Sequence, residues 1–202
     1  KTLALYGGFN HFSLYFSKKS FILLYVKIIL NNNYDIYANG HDLVLGTEGN
    51  KESLKIGNEE NPYYPNIYGG SKTNDITATN TTIHAGTYQN IYGGSGNKNI
   101  NGNTNLNITY AVVKESVYGG SNGGNITGKA ITNINEVTVV NGCIAGAGNN
   151  TNVSGTVRLE VKKAITLGEN SIYGYGYNGK NNQMHYLATQ QLIWEAINAT
   201  GF

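Results

Sequence analysis

Asn66-Ile67-Tyr68-Gly69-Gly70-Ser71 returns as Asn90-Ile91-Tyr92-Gly93-Gly94-Ser95 and again as Ser116-Val117-Tyr118-Gly119-Gly120-Ser121. A degenerate copy stands at Cys143-Ile144-Ala145-Gly146-Ala147-Gly148, and a last echo at Ile172-Tyr173-Gly174-Tyr175-Gly176. The Ile or Val recurs at steps of 24, 26, 27 and 28 residues. Periods of that size belong to chains that stack one supersecondary unit on the next, because a single unit cannot bury its apolar side alone.

A second motif begins nine residues after each Ile or Val: Ile76-x-Ala78, Ile100-x-Gly102-x-Thr104-x-Leu106-x-Ile108, Ile126-x-Gly128-x-Ala130-x-Thr132-x-Ile134 and Val153-x-Gly155-x-Val157-x-Leu159-x-Val161. Alternation of apolar with Asn, Thr or Lys puts one set of side chains on one face of a strand. In the third copy Thr132 replaces Leu and Ile131 falls on the opposite face. The pairs Asn101-Gly102, Asn122-Gly123-Gly124, Asn141-Gly142 and Asn149-Asn150 punctuate the strands; they are read as corners that need positive φ. About 25 residues at ~3.3 Å each make two or three short strands plus corners, enough to circle a narrow core once. The fold class expected is mainly β: a parallel β-solenoid of about five coils over residues 35–168, with an open β-sandwich as the alternative. Stacking would line the interior with Ile67, Ile91 and Val117, turn Tyr68, Tyr92 and Tyr118 outward as an aromatic ladder, and align Asn66 with Asn90 for amide bonding between coils. Such ladders hold coils together. Exposed, the rings of Tyr68, Tyr92, Tyr118 and Tyr173 are also candidates for a platform that binds sugars or a partner protein.

A formal net charge of +2, 13% charged residues and no Lys/Arg cluster argue against a nucleic-acid partner. Cys143 is the only cysteine, which excludes an internal disulfide and a multi-thiolate zinc site. His11, His41, His84 and His185 show no metal-ligand spacing, so no metal and no cofactor are expected. Asn-x-Ser/Thr triplets at Asn80, Asn107, Asn125, Asn149, Asn152 and Asn198 arise readily in so Asn- and Thr-rich a chain.

The two ends differ from the repeats. In residues 1–34, Lys18-Lys19 precede the apolar run Phe21 to Leu30, read as a degraded export signal or as a cap over the first coil. That run is too short to span a bilayer, so no embedded membrane segment is expected. In residues 169–202 helical spacing replaces alternation. Asn181 or Asn182 can cap a helix running from Met184 to Ile197, with Gly201 permitting a stop. Tyr186, Leu187, Ile193, Trp194 and Ile197 share an arc with Gln190 in its middle. An amide placed there needs a partner or a chemical reason.

With Asp35-Ile36-Tyr37-Ala38-Asn39-Gly40-His41-Asp42-Leu43 at their head, the repeats over roughly 35–168 resemble the secreted, adhesin-like surface proteins of Gram-positive gut bacteria. Tyr173-Gly174-Tyr175-Gly176-Tyr177-Asn178-Gly179, followed by Tyr186-Leu187-Ala188-Thr189-Gln190-Gln191-Leu192-Ile193-Trp194-Glu195, resembles the end of the thioester domains at the tips of Gram-positive adhesins and pili, over about residues 170–198. That resemblance implies an acyl donor at Gln190 joined to a cysteine, and a thioester that acylates amines on host proteins. Cys143 would be the thiol. By the repeats it occupies the position of Asn66, Asn90 and Ser116, where a small packing residue suffices.

Three functions of different classes follow. The first is a non-catalytic, extracellular, cell-surface adhesin that presents its β surface to a host or matrix protein or a glycan. The second is a covalent adhesin using Cys143 and Gln190. The third is a β-helix carbohydrate-active enzyme, which needs convergent carboxylates; the three aspartates Asp35, Asp42 and Asp75 and the lone Arg158 do not supply them. The expectation is a protein without a reaction of its own.

Overall fold

The computed structural model of the chain describes residues 6–8, 11–13, 35–54, 63–166 and 172–173. Tyr6–Gly8 and His11–Ser13 pair antiparallel. The rest is a parallel β-solenoid of about four turns with three faces. The first face carries Ile36–Tyr37, Ile67–Tyr68, Ile91–Tyr92, Val117–Tyr118, Ile144–Ala145 and Ile172–Tyr173. The second carries Leu43–Leu45, Thr79–Ile83, Thr104–Ile108, Ala130–Ile134 and Val157–Val161, and the third Thr87–Tyr88, Ala111–Val113, Val137–Val139 and Ala164–Thr166. Every neighbouring pair in these three sheets is parallel and in register with its repeat, Ile67 to Ile91 to Val117 to Ile144.

The expected alternation sets the interior. Thr104, Leu106 and Ile108, and in the next coil Ala130, Thr132 and Ile134, are buried, while Asn105, Asn107, Ile131 and Asn133 face out. Ile76, Ile100, Ile126 and Val153 form a column of bridges at the corner before the second face, so the motif opens as a corner and becomes a strand three or four residues later. The third face consists of strands of two or three residues, too short for period-2 alternation to mark them in the sequence.

The corners differ from expectation in their physical cause. Among the described residues, positive φ occurs at Gly40, Gly46, Gly49, Gly86, Asn39 and Asn150, so of the expected corner pairs only Asn149-Asn150 uses it. The Gly-Gly of the repeat is instead required by close approach. A Cβ on Gly93 would lie 3.0 Å from the Gly119 carbonyl carbon and closer still to its oxygen, and Gly69 and Gly119 meet the next coil in the same way. Only a residue without a side chain lets successive coils pass at sheet spacing there.

Buried side chains complete the interior. Ser71 N donates to Ser95 Oγ at 3.0 Å and Ser95 N to Ser121 Oγ at 3.1 Å. Thr79 Oγ1 and Thr104 Oγ1 donate to the carbonyls of Gly93 and Gly119 at 2.6 and 2.9 Å. Thr81 and Thr132, on the inward column with Leu106, are fully buried and their hydroxyls have no partner. The apolar run of residues 21–30 and the helix expected at the C-terminal end lie outside the described residues. No helix among the described residues is long and apolar enough to cross a membrane.

Candidate functional site

The first face carries the tyrosine ladder. Tyr37, Tyr68, Tyr92 and Tyr118 stack with centroids 4.5, 4.9 and 5.1 Å apart and ring planes within 7° of parallel. Sheet register alone produces this, because one aromatic per coil at one position places the rings a strand spacing apart. Each pair is worth roughly 0.5–1.5 kcal/mol beyond its buried area. The rings are not an open platform, however: Tyr68, Tyr92 and Tyr118 are only 7%, 6% and 8% exposed. Their faces are taken up by one another. Burial raises the hydroxyl pKa of Tyr37, Tyr68 and Tyr92; neighbouring phenols and then the Asp35 carboxylate add to the rise at Tyr37 and Tyr92, whereas at Tyr68 Asp35 adds to it and the hydrogen bond with Tyr37 opposes it. Burial and then Asp35 push Tyr63 up to about 12.

At the fourth step the ladder changes. Ala145 replaces Tyr, and backbone register carries the column on to Tyr173. Cys143 stands beside this break. Its N–H donates to Ser116 Oγ at 3.0 Å, and its thiol lies 3.9 Å from Tyr118 Oη. Burial raises the thiol pKa, with the bonds to Ser116 and Tyr118 opposing. A thiol held protonated is a weak nucleophile at neutral pH. Gln190 lies outside the described residues, as does the side chain of Tyr173.

Polar ladders run beside the rings. Asn66 donates from its N–H and its amide to Asp35 Oδ1, Asn90 Nδ2 donates to Asn66 Oδ1 at 2.9 Å, and Ser116 N to Asn90 Oδ1 at 3.0 Å. A second column, not singled out in the sequence, joins Asp75, Asn99, Asn125 and Asn152. Each column begins with Asp. Asn suits inner coils because it both donates back and accepts forward, whereas the first position needs only an acceptor. The bonds from Asn99 lower the Asp75 pKa.

Along the corner between the second and third faces, residues 46–54 form a clasp. Leu54 is buried in the main core, Thr47 N donates to Ser53 Oγ at 2.7 Å, and Lys51 Nζ sits 4.5 Å over the Tyr110 ring. Lys51 also pairs with Glu136 at 2.8 Å, and Lys163 approaches the same carboxylate at 3.5 Å. One glutamate thereby ties a loop of the first coil to the later coils, and its pKa is lowered, first by the Lys51 hydrogen bond. Sequence reading had no access to this pairing across 85 positions.

The outward side of the second face presents Asn80, Thr82, Asn105, Asn107, Ile131 and Asn133. Among the described residues no group of three His, Cys, Asp or Glu is placed to hold a metal ion. Compared with protein-family models, curated proteins and solved structures, the chain matches none.

Proposed function

We propose that this protein is a non-catalytic, extracellular surface protein whose β-solenoid acts as an adhesin-like scaffold, presenting a repeat-built face to host or matrix ligands. The observation that carries the reading is the division of labour in each coil. Ring, serine and interior threonine columns bind coil to coil, and this leaves the outward side of a five-stranded sheet as a long, regular surface. In this reading the repeats over residues 35–168 make about five coils, Ile172–Tyr173 pairs onto the fifth at Ile144–Ala145, and a short helix follows over residues 184–197. The test is retention of the purified chain on immobilised matrix proteins and glycans by a surface-binding assay. Retention on none of them refutes the reading.

A covalent form of the same reading joins Cys143 to Gln190. It is supported by the Thr-Gln-x-x-Ile-Trp stretch and by the position of Cys143 just before Ile144–Ala145, the strand that pairs directly with Ile172–Tyr173. The Cys143 thiol would attack the side-chain amide carbon of Gln190 and release ammonia. Methylamine would then break the C–S bond, giving an N-methyl amide and restoring the thiol. Intact mass distinguishes the two forms. A deficit of one ammonia, abolished by methylamine and absent from Cys143→Ala, establishes the covalent form, and the plain sequence mass excludes it.

A further inference from the structure

The outward side of the second face is periodic, and its three inner strands carry no charged side chain. Parallel register places Asn80, Asn105 and Ile131 in one outward column and Thr82, Asn107 and Asn133 in another. Members of a column stand ~4.8 Å apart, and the two columns ~6.6 Å apart along the strands. Asn133 Nδ2 donates to Asn107 Oδ1 at 2.9 Å, while the Asn105 amide reaches Thr79 O only at 3.5 Å. An amide carries two N–H donors and two acceptor lone pairs, so each keeps bonding capacity toward solvent. Within the five strands charge occurs only on the edge strand Val157–Val161, where Arg158 and Glu160 pair with each other at 2.6 Å, and exposed Lys129 stands just ahead of Ala130–Ile134.

Resting on the surface-presenting reading above, we infer that this face binds a neutral, extended polysaccharide laid along the solenoid axis, successive sugars meeting successive strands. A strongly anionic or cationic polymer finds no counter-charge at these six positions. A globular protein partner calls for a central cluster of aromatic or Arg anchors, whereas the outward apolar side chains of this face are Ile131 and Val44, on strands that are not neighbours, with no aromatic among them. A polysaccharide, by contrast, repeats neighbouring hydroxyls along a line, as these columns repeat amides and hydroxyls along a line. Side-chain amides donate and accept toward such hydroxyl pairs, and individually weak contacts gain from repetition along one chain.

The experiment is co-sedimentation of the full chain with cellulose, chitin and an insoluble β-1,3-glucan, beside beads carrying heparin or alginate. The variants are Asn105→Glu with Ile131→Arg on the second face, and Thr138→Arg, which faces outward on the third. Melting temperature shows that each variant is folded. The expected result is retention on at least one neutral glycan, weakened at least tenfold by the second-face pair and unchanged by Thr138→Arg. Retention on the charged polymers alone overturns the inference, as does retention that Asn105→Glu with Ile131→Arg leaves intact. If the chain ignores every neutral glycan but binds a matrix protein, this inference falls and the surface-presenting reading stands. If it binds nothing, both fall.

Discussion

Replacing Gly93 by Ala tests the claim that the Gly-Gly corners exist for close approach. The added Cβ would sit 3.0 Å from the Gly119 carbonyl carbon and 3.3 Å from Leu106 Cβ, against an ordinary carbon–carbon separation of ~3.5–4.0 Å. Relief requires the two coils to part by roughly 0.5–1 Å at this corner. The bonds that hold them there, Gly93 N to Tyr118 O at 2.8 Å and Gly94 N to Gly120 O at 2.9 Å, then leave hydrogen-bonding range. Two buried backbone bonds at about 1 kcal/mol each, plus overpacking of about 1 kcal/mol, give a loss of about 3 kcal/mol. For a chain of this size that lowers Tm by about 6–12 °C. Gly96→Ala is the control, because its Cβ meets nothing nearer than 3.8 Å and its φ is ordinary. It should leave Tm unchanged, or raise it slightly through the unfolded chain. Thermal melts followed by far-UV circular dichroism decide the matter. Equal melting of Gly93→Ala and Gly96→Ala would refute the close-approach argument.

Three further outcomes are expected. Thr132→Val removes a fully buried hydroxyl that has no partner and should stabilise by about 1 kcal/mol. Thr104→Val removes one that donates to Gly119 O at 2.9 Å and should destabilise by about 1 kcal/mol; denaturant midpoints that move in the same direction would contradict this assignment. Burial raises the phenol pKa of Tyr37, Tyr68, Tyr88 and Tyr92, so the folded chain holds protons that the unfolded chain releases. Their contribution to stability is complete below the unfolded value near pH 10 and is lost as pH rises beyond it. Melts from pH 8 to 12 should therefore be flat at first and then fall, and a flat profile throughout would be inconsistent with buried rings. The Glu136 carboxylate is favoured by Lys51, so the clasp contributes above the unfolded carboxylate range and loosens as pH falls through it. Glu136→Gln should speed amide exchange in residues 46–54 at neutral pH, and unchanged exchange there would show that Leu54 alone holds the loop.

Much of the fold was legible because a solenoid repeats its requirements once per coil. The Ile column, the inward Leu106 and Ile108, the outward Ile131, and the Asn66–Asn90 amide bond all follow from period and alternation. The stacking of Tyr68, Tyr92 and Tyr118 followed as well. Their burial did not, because accessibility depends on what packs over a side chain and not on its place in a repeat. The Asp75 column was missed because its members fall in corners, where no alternation marks them.

By itself the sequence determined the parallel stacking, the coil length and the residues that line the interior, since these arise from identical groups recurring at one interval. Only the tertiary structure decided why the paired glycines are needed, which ladder is covered and which face stays open, and that Lys51 reaches Glu136. Each of these depends on the distance between atoms of different coils. That distance is set by how closely the sheets pack, and no local pattern of residues encodes it.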